Sequence, residues 1–264
     1  MPSLREQALR VVQCAEVDAK LDAAHALAAA SAAGAPVGAE QTLADPGGLP
    51  GRPPHPRRRP HRELTQGSLA SVAGRAALLH ALAHIEFNAI DLACDVVWRF
   101  PGMPDAFYRD WIAIAAEEAT HFALLRDHLR SLGYDYGAFD AHGALWEMAE
   151  RTRDDLLARI ALVPRTLEAR GLDASPAVRA KLVGAGDVAA GAILDVILRD
   201  EIGHVAAGNR WYRWLCTQRD LDPLTTYAEL TVRYAAPRAR GPFNLEARRA
   251  AGFSDAELQA LHAG

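Results

Sequence analysis

The sequence predicts an all-α protein built on a four-helix bundle, and three observations predict it. Long segments carry apolar residues at intervals of three and four, the stripe that a bundle helix buries. No convincing run of alternating β-branched residues, the signature of a strand, interrupts them. Two copies of Glu-x-x-His, Glu118-Ala-Thr-His121 and Glu201-Ile-Gly-His204, lie inside two of the periodic segments. At i, i+3 on a helix the two side chains of each copy point the same way, so each helix delivers a carboxylate and an imidazole to one spot.

In chain order, residues 3–31 read as an Ala-rich helix with Leu4, Ala8, Val11, Ala15 and Leu27 as its apolar positions. Residues 32–67 change character. Gly, Pro and Arg dominate, with Pro-Gly-Gly-Leu-Pro-Gly at 46–51 and Arg57-Arg58-Arg59, and such a segment reads as an extended arm, ordered over the bundle or partly disordered. The bundle is expected over 68–219. Its first helix, 69–99, buries the row Val72, Ala76, Leu79, Ala83, Glu86, Ile90, Ala93, Val97. Pro101-Gly102-Met103-Pro104 ends it, and the second helix, 105–132, buries Phe107, Trp111, Ile114, Glu118, His121, Leu125, His128, Leu132 before a C-cap at Gly133. The third helix should lie within 143–170, ended by Gly171, with Ser175-Pro176 as a start signal for the next stretch. The fourth, 187–217, buries Ala190, Leu194, Ile197, Glu201, His204, Gly208, Trp211, Leu215. A tail over 220–264 ends in a short helix, 254–262, capped by Ser254 with Glu257 three residues on.

In three of these rows acidic and imidazole side chains interrupt an otherwise apolar seam near its middle. A buried carboxylate is very costly unless it is paired or bound to a metal. A solvated Glu-His pair would fall on the polar face instead. Glu86 is the third carboxylate of this kind. On the third helix the row Leu157, Ala161, Pro164, Glu168 ends in a Glu, with Asp154 and Glu147 further back on it. Glu168 is the choice, although Pro164 removes a backbone donor and unsettles the helix phase. Two Glu-x-x-His helices and a Glu from each of two others are the ligand pattern of ferritin-like di-iron or di-manganese bundles. The candidate metal ligands are therefore Glu86, Glu118, His121, Glu168, Glu201 and His204. Asp200, His84 and His128 are candidates for supporting hydrogen bonds to ligand imidazoles.

Composition narrows the class. A net charge of −4 argues against a general nucleic-acid-binding surface, though not against a local basic patch at Arg57–Arg59. The cysteines, Cys14, Cys94 and Cys216, are isolated and odd in number, which points to neither a disulfide framework nor a zinc knuckle. No signal peptide and no run of 18 apolar residues is visible, so the expectation is a soluble protein of a reducing cytoplasm, with no membrane partner.

Four segments carry a resemblance: His84-Ile-Glu-Phe-Asn-Ala-Ile-Asp-Leu-Ala, Asp110-Trp-Ile-Ala-Ile-Ala-Ala-Glu-Glu-Ala-Thr-His-Phe, Leu162-Val-Pro-Arg-Thr-Leu-Glu-Ala-Arg-Gly-Leu-Asp and Asp200-Glu-Ile-Gly-His-Val-Ala. Together they resemble the ferritin-like family known as domain of unknown function 455, over roughly residues 50–220. That family looks like a relative of the di-iron tRNA hydroxylase and other ferritin-like oxygenases. The resemblance implies Glu168 as the ligand of the third helix and supplies no substrate.

Carboxylates and imidazoles favour iron or manganese over thiophilic metals. The expected cofactor is two iron ions, with manganese or a mixed pair as the alternative. The expected function is an O2-dependent di-iron oxygenase or oxidase acting on an organic substrate, with an electron donor of unspecified kind and a dimer compatible with the sequence. A non-catalytic or ferroxidase-type metal-binding protein is the alternative. A tRNA-modifying hydroxylase is a third reading, carried only by the arginine-rich arm and analogy.

Overall fold

A computed structural model describes the chain apart from residues 1, 61, 62, 64–66 and 264. The described residues are helical, with no β-strand among them beyond the isolated bridge between Arg58 and Ala141. The chain divides into two compact units, Met1–Gly143 and Ala144–Gly264.

The first unit opens with α1 (Leu4–Gln13) and α2 (Val17–Ala32). Where the sequence predicts one helix over 3–31 there are two. Cys14 turns to extended backbone, and the Glu16 carboxylate then caps the amides of Asp18 and Ala19 to start α2. The break lets α1 pack on α3 (Val72–Arg99) while α2 packs on α4 (Asp105–Ser131). Two buried cations tie α1 and α2 to α3. Lys20 pairs with Asp91 of α3. Arg5, fully buried, donates from Nε to Val97 O (3.0 Å) and from Nη2 to Trp98 O (2.5 Å). Those carbonyls close α3, where a helix has acceptors without intrahelical donors and a favourable field for a cation.

The arm is ordered along this unit. Leu4 N donates to Pro36 O (2.9 Å), Gly51 N to Val12 O (2.7 Å) and Arg59 N to Ala141 O (2.8 Å). Gly51 lies so close to α1 that a Cβ there would meet Gln13 O at 2.1 Å. Arg57, Arg58 and Arg59 are exposed. The end of the expected arm, at 61, 62 and 64–66, lies outside the described residues.

Ser71 caps α3, and the short connection Phe100–Pro104 turns the chain back into α4. Gly133, at φ +84°, closes α4 as its C-cap signal predicts. By length and composition α3 is apolar enough to cross a membrane, but 72% of its apolar window is buried inside the protein, as in the core helix of a bundle.

The second unit corrects the expected third helix. In place of one element there are α5 (Ala144–Arg151), α6 (Leu156–Leu162), a π-helical segment (Val163–Glu168) and α7 (Ala169–Gly184). Pro164 cannot donate to the α-helical ladder, and the wider turn accommodates it. Thr166 Oγ1 donates to Ala161 O (2.7 Å) inside that turn. Neither Gly171 nor Pro176 ends α7. The carbonyl that Pro176 deprives of a partner, Leu172 O, accepts instead from Asn244 Nδ2 (3.2 Å), and Ser175 Oγ donates to Gly171 O (2.7 Å). Then α8 (Val188–Gln218) packs along α6, the π segment and α7. The tail holds three helices, α9 (Pro223–Arg233), α10 (Leu245–Ala250) and α11 (Asp255–Ala263), the last with the expected Ser254–Glu257 capping box.

Candidate metal centre

The seams behave as the residue pattern requires. On α4, Phe107, Trp111, Ile114 and Leu125 are buried beside Glu118 (0% exposed) and His121 (1%). On α3, Ala76, Leu79, Ala83, Ile90 and Val97 are buried beside Glu86 (5%), although Val72 at the first turn is exposed. On α8, Ala190, Leu194, Ile197, Trp211 and Leu215 flank a buried Glu201 and His204.

In the first unit these side chains converge. His121 Nδ1 lies 3.5 Å from Glu86 Oε2 and 3.5 Å from Glu118 Oε2. One ligand atom from each of the three lies within 4.8 Å of the others. Burial alone would lower the His121 pKa; the Glu118 and Glu86 carboxylates overcome it and hold the imidazole up at about 11. Without metal the imidazolium is therefore the cation that compensates two buried carboxylates. A divalent metal would take over that role and release the proton, since ligand imidazole must be neutral. The donor set, carboxylate oxygen and imidazole nitrogen without thiolate, suits iron or manganese.

The second unit repeats the motif. His204 Nδ1 lies 3.6 Å from Glu201 Oε1, one turn apart on α8. Glu168 ends the π segment and is half-buried. Its rivals are displaced from any buried site: Asp154 sits exposed in the turn between α5 and α6, and Glu147 is exposed on α5. Each unit thus places its Glu and His on a buried face, and a buried Glu/His cluster able to hold a metal ion exists in the first.

The expected supporting residues make the following contacts. His84 Nε2 contacts His142 O (3.1 Å) and Nδ1 contacts the Tyr136 hydroxyl (2.7 Å). A carbonyl only accepts, so Nε2 carries the proton and Tyr136 donates to Nδ1. Burial lowers the His84 pKa to about 3, which keeps the ring neutral. His128 Nδ1 faces Ser131 Oγ (3.3 Å), and Asp200 pairs with Arg199 (2.8 Å). Sequence reasoning misses Tyr136. Its ring packs on Phe87 (5.2 Å between centroids) and Phe122 (4.9 Å), the residues that come directly after Glu86 and His121. Its only sequence signal is an aromatic in a loop beside the second helix.

Comparison with known proteins places these residues in a family context. The description "Protein of unknown function (DUF455)" matches residues 13–259, which takes in more of both ends than the four resembling segments do. A protein of Haemophilus influenzae, described as "Uncharacterized protein", is 49% identical over 208 residues, covering 76% of this chain and 72% of its own. No solved structure matches the chain.

Proposed function

The chain belongs to the DUF455 family, and on that premise we propose that it is a di-metal carboxylate oxidoreductase of the ferritin-like kind. The observation that carries the reading is the buried Glu86, Glu118 and His121 cluster, within 4.8 Å, together with the same Glu-x-x-His spacing on a buried face of α8. In this reading Glu86, Glu118, His121, Glu168, Glu201 and His204 hold two iron ions. Manganese, or one ion of each metal, would suit the same donors. Bound iron would supply redox chemistry toward O2, and the protein would set geometry, charge and access.

The residues of the chain then have definable tasks. Glu118 and Glu86 hold negative charge in a buried place, which favours a multiply charged cation over a single proton. His121 and His204 bind as neutral imidazoles and give up protons as the metal enters. Trp111 and Ile114 on α4, and Ile197 and Trp211 on α8, stand one or two turns from the ligands and exclude water, which limits side reactions of reactive oxygen species. That shielding favours an oxidoreductase over a metal store, which has to pass iron in and out. A reducing cytoplasm suits the three free cysteines.

The test is anaerobic loading with ferrous iron, then mixing with O2 while oxygen consumption, iron release and growth of a mineral core are monitored together. The reading expects oxygen consumption with the iron retained at a fixed, small stoichiometry. Accumulation of a mineral core would replace it with storage.

A further inference from the structure

A cavity of about 450 Å³ opens in the second unit, bounded by the π segment, α9, the chain after α9 and α11. It has the size of a small-molecule site. Its walls are mostly apolar: Leu224, Ala228 and Val232 come from α9, Phe253 and Leu261 from the α10–α11 region. Two buried guanidinium groups also line it, Arg165 (3% exposed) and Arg248 (2%).

The hydrogen bonds of these arginines leave a specific opening. Arg165 donates from Nε to Asn209 Oδ1 (2.9 Å) and from Nη2 to Glu257 Oε1. Arg248 donates from Nε and Nη2 to Asp173, at 2.9 and 2.6 Å. Among the described residues, neither Nη1 has an acceptor. Glu257 is shared between Arg165 and Arg213 (2.7 Å), so that group of three keeps one net positive charge. Arg238 also lines the wall. Thr166 donates to Ala161 O, so the contact with Tyr227 OH (2.8 Å) has Tyr227 donating, and that hydroxyl brings no negative charge. Rings brace the cationic end: the Arg165 guanidinium lies 4.3 Å from the Tyr227 centroid and 5.1 Å from that of Phe253. Stacking fixes the plane of a guanidinium and so the direction of the Nη1 donor that each arginine has left.

We propose that this cavity binds a small organic acid, its carboxylate on Arg165 and Arg248 and its apolar body along α9 and Phe253. Guanidinium donors without a protein acceptor at one end favour an anion, and the apolar remainder disfavours a fully polar one. The site lies within one unit and needs no metal, so its occupancy is separable from the metal reading even though Arg165 and Thr166 share the π segment with Glu168.

The experiment is calorimetric titration of the metal-free full-length protein with octanoate, and with octylammonium as the control of opposite charge. Octanoate should bind saturably and octylammonium should not. Arg165→Gln should weaken octanoate about tenfold or more, the worth of one charge-assisted contact. Because Arg165 is buried, a second variant guards against misfolding: Ala228→Trp, at an exposed position of α9, fills the cavity without removing a buried group and should abolish binding. No saturable octanoate binding, equal binding of octylammonium, or octanoate binding that survives Ala228→Trp would each overturn the proposal.

Discussion

His121 and His80, both buried in the first unit, are driven in opposite directions by their surroundings. Burial disfavours the charged form of each. Beside His121 two carboxylates reverse the effect and keep the ring protonated; beside His80 burial wins over Asp140, and the pKa falls to about 4. His80 Nε2 accepts the Gly137 N–H at 2.9 Å, a bond that protonation would break. The folded value of about 4 lies below the ordinary value of 6.5, so the unfolded chain binds the proton first. Stability from His80 is then present above pH 6.5 and is lost as the pH falls toward 4, by about 3 kcal/mol at most. Gln at this position can accept the same N–H without titrating. Denaturant unfolding of the wild type and His80→Gln between pH 7 and pH 4 should show a smaller acid loss in the variant; parallel curves would refute the assignment. Asp91, whose pKa burial raises to about 6 against the pull of Lys20, titrates in both proteins and cancels in the comparison.

The π segment is the element on which the second unit turns, and a glycine on α8 makes room for it. A Cβ at Gly208 would lie 3.0 Å from Pro164 Cβ and 3.3 Å from its Cγ, tighter than ordinary packing. Gly208→Ala should therefore push the π segment away from α8 and cost about 1–3 kcal/mol, although alanine is the better helix former. Thermal unfolding of the variant checks this; an unchanged or raised midpoint would mean that the contact relaxes at no cost. The seams on either side of this element are legible in the sequence, because a carboxylate in the middle of an apolar row is too costly to bury without a partner or a metal. The third helix is not. Whether Pro164 kinks, ends or widens a helix depends on Gly208, and whether Pro176 stops one depends on Asn244, 68 residues further along. Neither partner is signalled by local pattern. The cavity is equally invisible in the sequence, since it joins Arg165 to residues of a tail that reads only as a short helix.

At the scale of the whole chain, the seam pattern singles out both Glu-x-x-His motifs and Glu86 as candidate ligands, while Glu168, chosen from its row, has Asp154 as a rival on the same row and the family resemblance as added support. The exposed position of Asp154 gives that choice a physical reason. The arginine-rich arm carries no observation toward RNA beyond its exposure. The central claim is that both Glu-x-x-His motifs, with Glu86 and Glu168, hold metal, and metal content tests that directly. Elemental analysis of the protein loaded anaerobically with ferrous iron should return about two ions per chain. Glu118→Ala in the first unit, and His204→Ala or Glu168→Ala in the second, should each lose at least one ion, while Asp154→Ala should retain both. A wild type that retains no transition metal, or second-unit variants that keep the full content, would contradict it.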